Sequence, residues 1–178
     1  VGSEMCIRDR VINNEIYLVG STQSIGSGSF DMLLMKMSME GDSIYSKTYG
    51  DVYYNQGRAI SFGNNRIFLG GVTKKENSLS ASANYIIAVD LEGEILWERV
   101  IESTGSDKLK DLEFNPQSNT LHCLSSSYSE STGIDFWLYT LNEEGQFAGI
   151  STLTRNELRV VPNPIKEEGY IQLPNDSY

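Results

Sequence analysis

Tyr85-Ile-Ile-Ala-Val-Asp-Leu-Glu-Gly-Glu-Ile-Leu-Trp97 places two apolar runs on either side of a polar turn that contains Gly93. Runs rich in β-branched and aromatic residues are typical of strands, and a glycine between two such runs is typical of a hairpin turn. The first run is apolar at consecutive positions, which indicates a strand that is covered on both faces of its sheet. The stretch therefore predicts two antiparallel strands joined by a tight turn.

The same turn recurs at a fixed period. Met39-Glu-Gly41, Leu91-Glu-Gly93 and Glu143-Glu-Gly145 place their glycines 52 residues apart in both steps. Each turn follows an apolar run and precedes a further strand, and each run is preceded by a strand and loop of small residues. A period near fifty built from short strands is the length of a β-propeller blade rather than of a helical solenoid. We therefore predict an all-β fold of about three four-stranded antiparallel blades.

The period sets the expected boundaries of the blades. We assign blade one to residues 11–49, blade two to 56–101 and blade three to 107–153, within a repeat region of residues 11–154. Blade one then retains only Val11-Ile12 of its innermost strand. Because propellers use about four to eight blades, three blades indicate a partial propeller, truncated at both ends. An open array of β-sandwich sheets is the alternative architecture.

The first ten residues are interpreted separately from the repeats. Val1-Gly-Ser-Glu-Met-Cys-Ile-Arg-Asp9 resembles a transposase mosaic-end sequencing adapter translated in frame. The remaining adapter bases permit only Ser or Arg at the next codon, and position 10 is Arg. We therefore interpret residues 1–10 as adapter-derived and leave them out of the predicted fold.

Composition narrows the classes of partner. The formal net charge is −10, and the two cysteines include Cys6 in the adapter-like segment, which leaves Cys123 without a disulfide partner. Nucleic acid and anionic lipid both require a basic patch, which such an acidic chain does not favour. No apolar run approaches the length of a membrane span. We predict no nucleic-acid partner and no transmembrane segment.

Candidate chemistry in the repeats is sparse. His122 is the only histidine, which excludes a site with several histidine ligands, and Cys123 lies in a strand-like run that favours a buried, inert thiol. Asp31 and Asp135 recur at equivalent repeat positions, which favours a turn or strand-edge role over a glycosidase-like carboxylate pair. No nucleophile elbow, phosphate-binding loop or calcium loop occurs. We therefore expect no catalytic, cofactor-binding or metal-binding residue in these repeats.

Blade one resembles a broad group of bacterial secreted propeller-like repeats. It carries Gly20-Ser-Thr22, Asp31, Leu34, Lys36, Gly41 and Lys47-Thr-Tyr-Gly50 of a pattern that runs from G-x-T to K-T-Y-G. Tyr45 stands where that pattern has tryptophan. The group is defined by its architecture, so the resemblance implies a fold and no particular chemistry.

Blade two also resembles the tryptophan-docking pattern of quinoprotein propellers. Ala88-Val-Asp90, Gly93 and Trp97 match it with a spacer one residue short. In that family the tryptophan packs against the next blade, which implies a structural role and no quinone site. We assign inter-blade packing to Trp97 and Trp137.

The tail carries a different signal. Leu158-Arg-Val-Val-Pro-Asn-Pro164, followed after a polar spacer by Tyr170-Ile-Gln-Leu-Pro174, resembles the opening of the type A C-terminal sorting domain of the type IX secretion system. The resemblance assigns residues 155–178 to the start of such a domain and implies recognition by the type IX sorting machinery. The predicted motif residues are Val160, Val161, Pro162, Asn163, Pro164, Ile171 and Leu173.

Taken together, repeats and tail predict an exported bacterial protein, secreted or held at the outer cell surface. Propeller loops and channels are natural recognition surfaces, so the expected role is binding or adhesion to an extracellular polymer or protein. The alternative is an accessory propeller of a secreted hydrolase whose catalytic domain lies upstream. The two differ in sequence beyond these repeats.

Overall fold

The computed structural model describes residues 5–27, 29–74, 81–103, 105–129, 133–153, 159–161 and 170–172. Fourteen strands and no helix occupy this part of the chain. They form three four-stranded antiparallel sheets and one two-stranded hairpin. Sheet 1 contains β1 (Met5–Ile12), β2 (Glu15–Thr22), β3 (Asp31–Ser38) and β4 (Ser43–Tyr49). Sheet 2 contains β5 (Tyr54–Gly63), β6 (Arg66–Lys74), β7 (Ser82–Val89) and β8 (Ile95–Ile101). Sheet 3 contains β9 (Ser106–Asn115), β10 (Thr120–Ser129), β11 (Gly133–Asn142) and β12 (Phe147–Leu153), and the hairpin contains β13 (Arg159–Val161) and β14 (Tyr170–Gln172).

The all-β prediction and the four-stranded antiparallel units are confirmed. Within each sheet the strands follow chain order, so every neighbouring pair is joined by a direct connection. Tight turns lie at one end of the sheets, here called the turn end, and include Asn13-Asn14 and Asn64-Asn65, which adopt positive φ angles between 49° and 63°. Asparagine tolerates this left-handed geometry better than most residues. The opposite end, here called the loop end, carries the β2–β3 and β4–β5 connections.

Sheet 1 differs from the prediction at its first strand. The sequence analysis keeps only Val11-Ile12 of that strand, whereas β1 extends back to Met5 and pairs with β2 as far as Ser21. The physical reason is that without this strand the edge of β2 would leave a row of backbone N–H and C=O groups unpaired. Main-chain pairing with that edge places few demands on the side chains of the added strand. Sheets 2 and 3 begin within two residues of their predicted starts.

Sheet 2 is covered on both faces. Along β6, Ile67 and Leu69 belong to the core shared with sheet 1, while Phe68 between them belongs to the core shared with sheet 3. Ile87 and Ile86 divide in the same way on β7. Because successive side chains of a strand point to opposite faces, a consecutive apolar run can supply two cores at once. The prediction from the apolar run at residues 85–89 is confirmed.

Apolar side chains also remain exposed at the loop end of sheet 3. Ile134 is 65% exposed, Tyr128 51% and Phe136 47%. Tyr128 pairs with Ile134 across β10 and β11. These residues lie on the face of sheet 3 that points away from sheet 2, because β11 residues such as Tyr139 and Leu141 supply the shared core.

Candidate binding cleft and the repeated sheet interface

The predicted repeat glycines lie at equivalent turns between the third and fourth strands of the three sheets. Each has a positive φ angle, of 94°, 78° and 74° in chain order, and each amide donates to the carbonyl three residues earlier. Glycine adopts this backbone geometry without steric cost. The glycines are Gly41, Gly93 and Gly145, and their carbonyl partners are Ser38, Asp90 and Asn142, again 52 residues apart.

The turn of sheet 2 docks on the fourth strand of sheet 1. The Tyr45 hydroxyl donates to the Leu91 carbonyl oxygen at 3.0 Å, and the Tyr49 hydroxyl donates to the Gly93 carbonyl oxygen at 2.8 Å. Tyr17 gives the Leu91 oxygen a second hydrogen bond at 3.3 Å. A Cβ atom on Gly93 would lie 3.0 Å from the Tyr49 hydroxyl. The positive φ angle and the close fit together favour a glycine in this turn.

The turn of sheet 3 docks on sheet 2 in the same manner. The Trp97 indole Nε1–H donates to the Glu143 carbonyl oxygen at 2.6 Å, and Arg66 gives that oxygen a second hydrogen bond at 2.9 Å. A Cβ atom on Gly145 would lie 2.9 Å from the Trp97 ring. Trp97 also packs near Phe68, with ring centroids 6.2 Å apart. The side chain therefore joins sheets 2 and 3 by both a hydrogen bond and ring packing.

Trp137, the second predicted packing residue, lies in β11 of sheet 3. It is half-buried against the core between sheets 2 and 3, and its ring centroid is 4.8 Å from that of Tyr139. The structure thus places both tryptophans at the same sheet interface. They approach it from opposite sides, Trp97 from sheet 2 and Trp137 from sheet 3.

The predicted sorting motif falls partly outside the described residues. Val160 and Val161 lie in β13, where they pair with Ile171 and Tyr170 of β14. The remaining motif residues lie outside the described residues, and they are Pro162, Asn163, Pro164 and Leu173. The β13–β14 pairing brings the two halves of the motif together as a short hairpin.

A cleft of about 320 Å³ opens at the loop end between sheets 1 and 2. Its wall from sheet 1 is the connection that follows β4, and its wall from sheet 2 comes from β5 to β8. Gly50 has a φ of 133°, and a Cβ atom there would lie 2.5 Å from the Asn55 side chain. This close approach seats the connection against β5. The lining residues are Gly50, Asp51, Asn55, Thr73, Tyr85, Glu98 and Val100.

Hydrogen bonds hold the polar side chains of the cleft in place. The Tyr85 hydroxyl donates to Glu98 Oε2 at 2.7 Å, and the Asn55 Nδ2–H donates to Asp51 Oδ1 at 3.0 Å. Burial, the hydrogen bond to Glu98 and the charges of Glu98 and Asp51 raise the pKa of the Tyr85 phenol well above its ordinary value. Tyr85 therefore stays neutral at physiological pH, while the two carboxylates present acceptors for donor groups of a ligand.

Neither His122 nor Cys123 lines the cleft. Within the described part of the chain, no group of three or more His, Cys, Asp or Glu residues is placed to hold a metal ion. The described polar contacts of His122 are with the hydroxyls of Thr120 and Thr140, at 3.5 and 3.3 Å. Cys123 is fully buried, and burial raises the pKa of its thiol, which makes it a poor nucleophile.

The two candidate aspartates are not brought together. Asp31 begins β3 in sheet 1 and is 2% exposed beneath Gly26, whereas Asp135 lies in β11 of sheet 3. Sheet 2 stands between them. The two carboxylates of a glycosidase lie about 5–10 Å apart. The placement of Asp31 and Asp135 on separate sheets does not favour such a pair.

Sequence reasoning did not identify the cleft residues. In the sequence, Tyr85 is part of an apolar run and Glu98 follows Trp97 in β8. Successive side chains of a strand point to opposite faces of the sheet. Because Trp97 faces sheet 3, its neighbour Glu98 must face sheet 1, and this alternation is the sequence signal for Glu98. Asp51 gave no such signal, since it lies in a connection.

Comparisons with known proteins add no family. No protein-family model matches the chain, and no curated protein matches it. Among the described residues, no helix has the length and apolar character needed to cross a membrane.

Proposed function

We propose that this chain is the repeat region of an exported bacterial β-propeller protein that binds an extracellular polymer or protein. The three sheets are consecutive blades, each with its first strand innermost. Support for this arrangement comes from β5, which lies against both β1 and β9, and from the docking contacts of Tyr45 and Trp97, which recur 52 residues apart. A stack built by repeating one interface is the architecture of repeat proteins with extended recognition surfaces.

The observation that carries the binding role is the cleft between sheets 1 and 2. It combines two carboxylates, an amide and two hydroxyl groups with the apolar Val100 at the loop end. Convergent polar groups in a concave site are the usual features of a ligand site. Its acceptor-rich lining favours groups that donate hydrogen bonds, such as polymer hydroxyls or lysine side chains of a protein.

A binding assay tests this role. The purified chain is passed over immobilised neutral polysaccharides and over lysine-rich proteins, and retention is compared with that of the Asp51→Asn/Glu98→Gln variant. We expect retention on one of the two classes and a loss on the order of tenfold in the variant, since hydrogen bonds to charged groups contribute about 1.5–3 kcal/mol. Glu40→Gln, an exposed change in the turn of sheet 1, is the matched control and keeps wild-type retention.

Equal retention of the wild type and the double variant would contradict the assignment of the cleft. Retention on neither class would contradict the binding role itself. Release of soluble sugar from a retained polysaccharide would instead support the alternative in which these repeats belong to a secreted hydrolase.

The tail supports the proposed export. Its Val161-Pro-Asn-Pro164 core and Tyr170-Ile-Gln-Leu173 segment resemble the opening of a type A sorting domain. The test grafts residues 159–173 in place of the corresponding opening of an established sorting domain fused to a reporter, in a bacterium with a type IX system. We expect the reporter in the medium, and a loss of export with Asn163→Ala. A graft that remains in the cell, beside an exported parent domain, would contradict the proposal.

A further inference from the structure

The two sheet interfaces use one donor and one acceptor in repeated positions. The donor is an aromatic residue on the fourth strand of one sheet, and the acceptor is a carbonyl in the turn of the next. Tyr45 donates to Leu91, and Trp97 donates to Glu143. Each donor lies 46 residues before its acceptor, and both donors and acceptors are 52 residues apart.

Sheet 1 carries a third copy of the acceptor turn. Met39 stands 52 residues before Leu91 and is 47% exposed. A Cβ atom on Gly41 would meet no described atom within 4 Å, whereas the same atom on Gly93 or Gly145 would meet the docked aromatic side chains. The turn of sheet 1 therefore has the docking geometry and leaves the space for a docked ring open.

Sheet 3 does not carry a third copy of the donor. The strand registers locate the equivalent position in sheet 3. In sheets 1 and 2 the donor on the fourth strand pairs with the third-strand residue just before a register shift. The three equivalent pairs are Lys36↔Tyr45, Ala88↔Trp97 and Thr140↔Gly149. Gly149 thus occupies the donor position and supplies neither a ring nor a side-chain donor.

We propose that the outer face of sheet 1 docks one further repeat sheet whose fourth strand carries tyrosine or tryptophan at the donor position. Its hydroxyl or indole N–H donates to the Met39 carbonyl oxygen, and its ring lies against Gly41. Sheet 3 of a second copy does not meet this requirement because of Gly149. The inference follows from the repeated interface and stands apart from the proposed export and ligand binding.

Supplying the missing donor tests the proposal. Gly149→Trp and Gly149→Tyr each give sheet 3 the residue found at the same register in sheet 2 or sheet 1, and both side chains favour strands. Sedimentation velocity is measured over a range of concentrations, with circular dichroism to check the fold. We expect both variants to associate more strongly than the wild type, with sedimentation coefficients that rise with concentration.

Gly41→Asn is the blocking control, because asparagine tolerates a positive φ and places a side chain where the incoming ring would lie. Combined with either change at Gly149, it returns association to the wild-type level if the turn is the docking surface. Association that persists with Gly41→Asn, or folded Gly149 variants that sediment like the wild type, would overturn the proposal.

Discussion

The two sheet interfaces place different side chains on one backbone arrangement. Between sheets 1 and 2 the turn carbonyls are held by the hydroxyls of Tyr45 and Tyr49, and between sheets 2 and 3 the contact is made by the Trp97 indole. A second difference lies at the loop end. Tyr85 lines the polar cleft, whereas Trp137, 52 residues later, packs against the core between sheets 2 and 3.

The comparison indicates which part of the repeat is under the tighter physical constraint. The acceptor is a main-chain carbonyl whose position is set by the glycine turn, so it stays in place when the side chains around it change. Any residue with a ring and a polar hydrogen can serve as the donor, since Tyr and Trp combine apolar bulk with one hydrogen-bonding group. A cleft is thus able to form at one interface without loss of the contact that holds the sheets together.

The largest expected effect is the loss of stability when the Trp97 indole is removed from the interface between sheets 2 and 3. Trp97→Ala removes ring packing near Phe68 and the hydrogen bond to Glu143, so we expect a loss of about 3 kcal/mol and a fall in Tm of roughly 6–12 °C for a chain of this size. Differential scanning calorimetry measures it. Trp97→Phe is the control and should cost only about 1 kcal/mol, because Arg66 still donates to the Glu143 oxygen.

The turn glycines provide a matched series. Asparagine at position 41, 93 or 145 imposes the same change at a positive φ, but only the last two substitutions place a Cβ atom within 3.0 Å of a docked side chain. We expect Gly93→Asn and Gly145→Asn to cost about 1–3 kcal/mol more than Gly41→Asn, measured by urea unfolding. Equal losses at all three positions would mean that backbone strain alone decides the effect.

Within the first interface, the two tyrosines should differ. Tyr49→Phe leaves the buried Gly93 carbonyl without its described side-chain donor and is expected to cost about 1–2 kcal/mol. Tyr45→Phe should cost about 0.5 kcal/mol, because the Tyr17 hydroxyl still donates to the Leu91 oxygen. Chemical denaturation of both variants gives the comparison, and the reverse order would contradict the assigned contacts.

The smallest expected effect is the dependence of the unfolding free energy on alkaline pH, which is absent near neutral pH. Burial raises the pKa of the Tyr49, Tyr85 and Tyr139 phenols above the ordinary value of about 10. A raised folded-state pKa contributes stability that is fully present below pH 10 and is lost as the pH rises through the raised value. We expect constant stability up to about pH 10 and a decline above it. In a spectrophotometric titration these phenols should ionise only as the protein unfolds. Ionisation in the folded protein near pH 10, the ordinary pKa of tyrosine, would contradict their burial.

Sequence pattern predicted the parts of the fold that repeat. The three glycine turns, the apolar runs between them and the strand-rich units follow from local patterns with period 2 and from the spacing of 52 residues. The predicted first strand is too short because the prediction leaves out residues 1–10 as adapter-derived, whereas main-chain pairing with β2 places the chain from Met5 onward in sheet 1. The cleft was missed because Asp51, Tyr85 and Glu98 are separated in sequence and meet only when two sheets pack.

Hydrogen exchange of the Trp97 indole tests the repeated interface most directly. In the folded protein the Nε1–H is donated to the Glu143 carbonyl oxygen, so its exchange, followed by NMR, should be slower than in the unfolded chain by on the order of tenfold or more. Gly145→Asn, which displaces the turn from the ring, should remove much of that protection. Exchange at the unfolded rate in the wild type, or protection unchanged by Gly145→Asn, would contradict a docked Trp97 as the link between sheets 2 and 3.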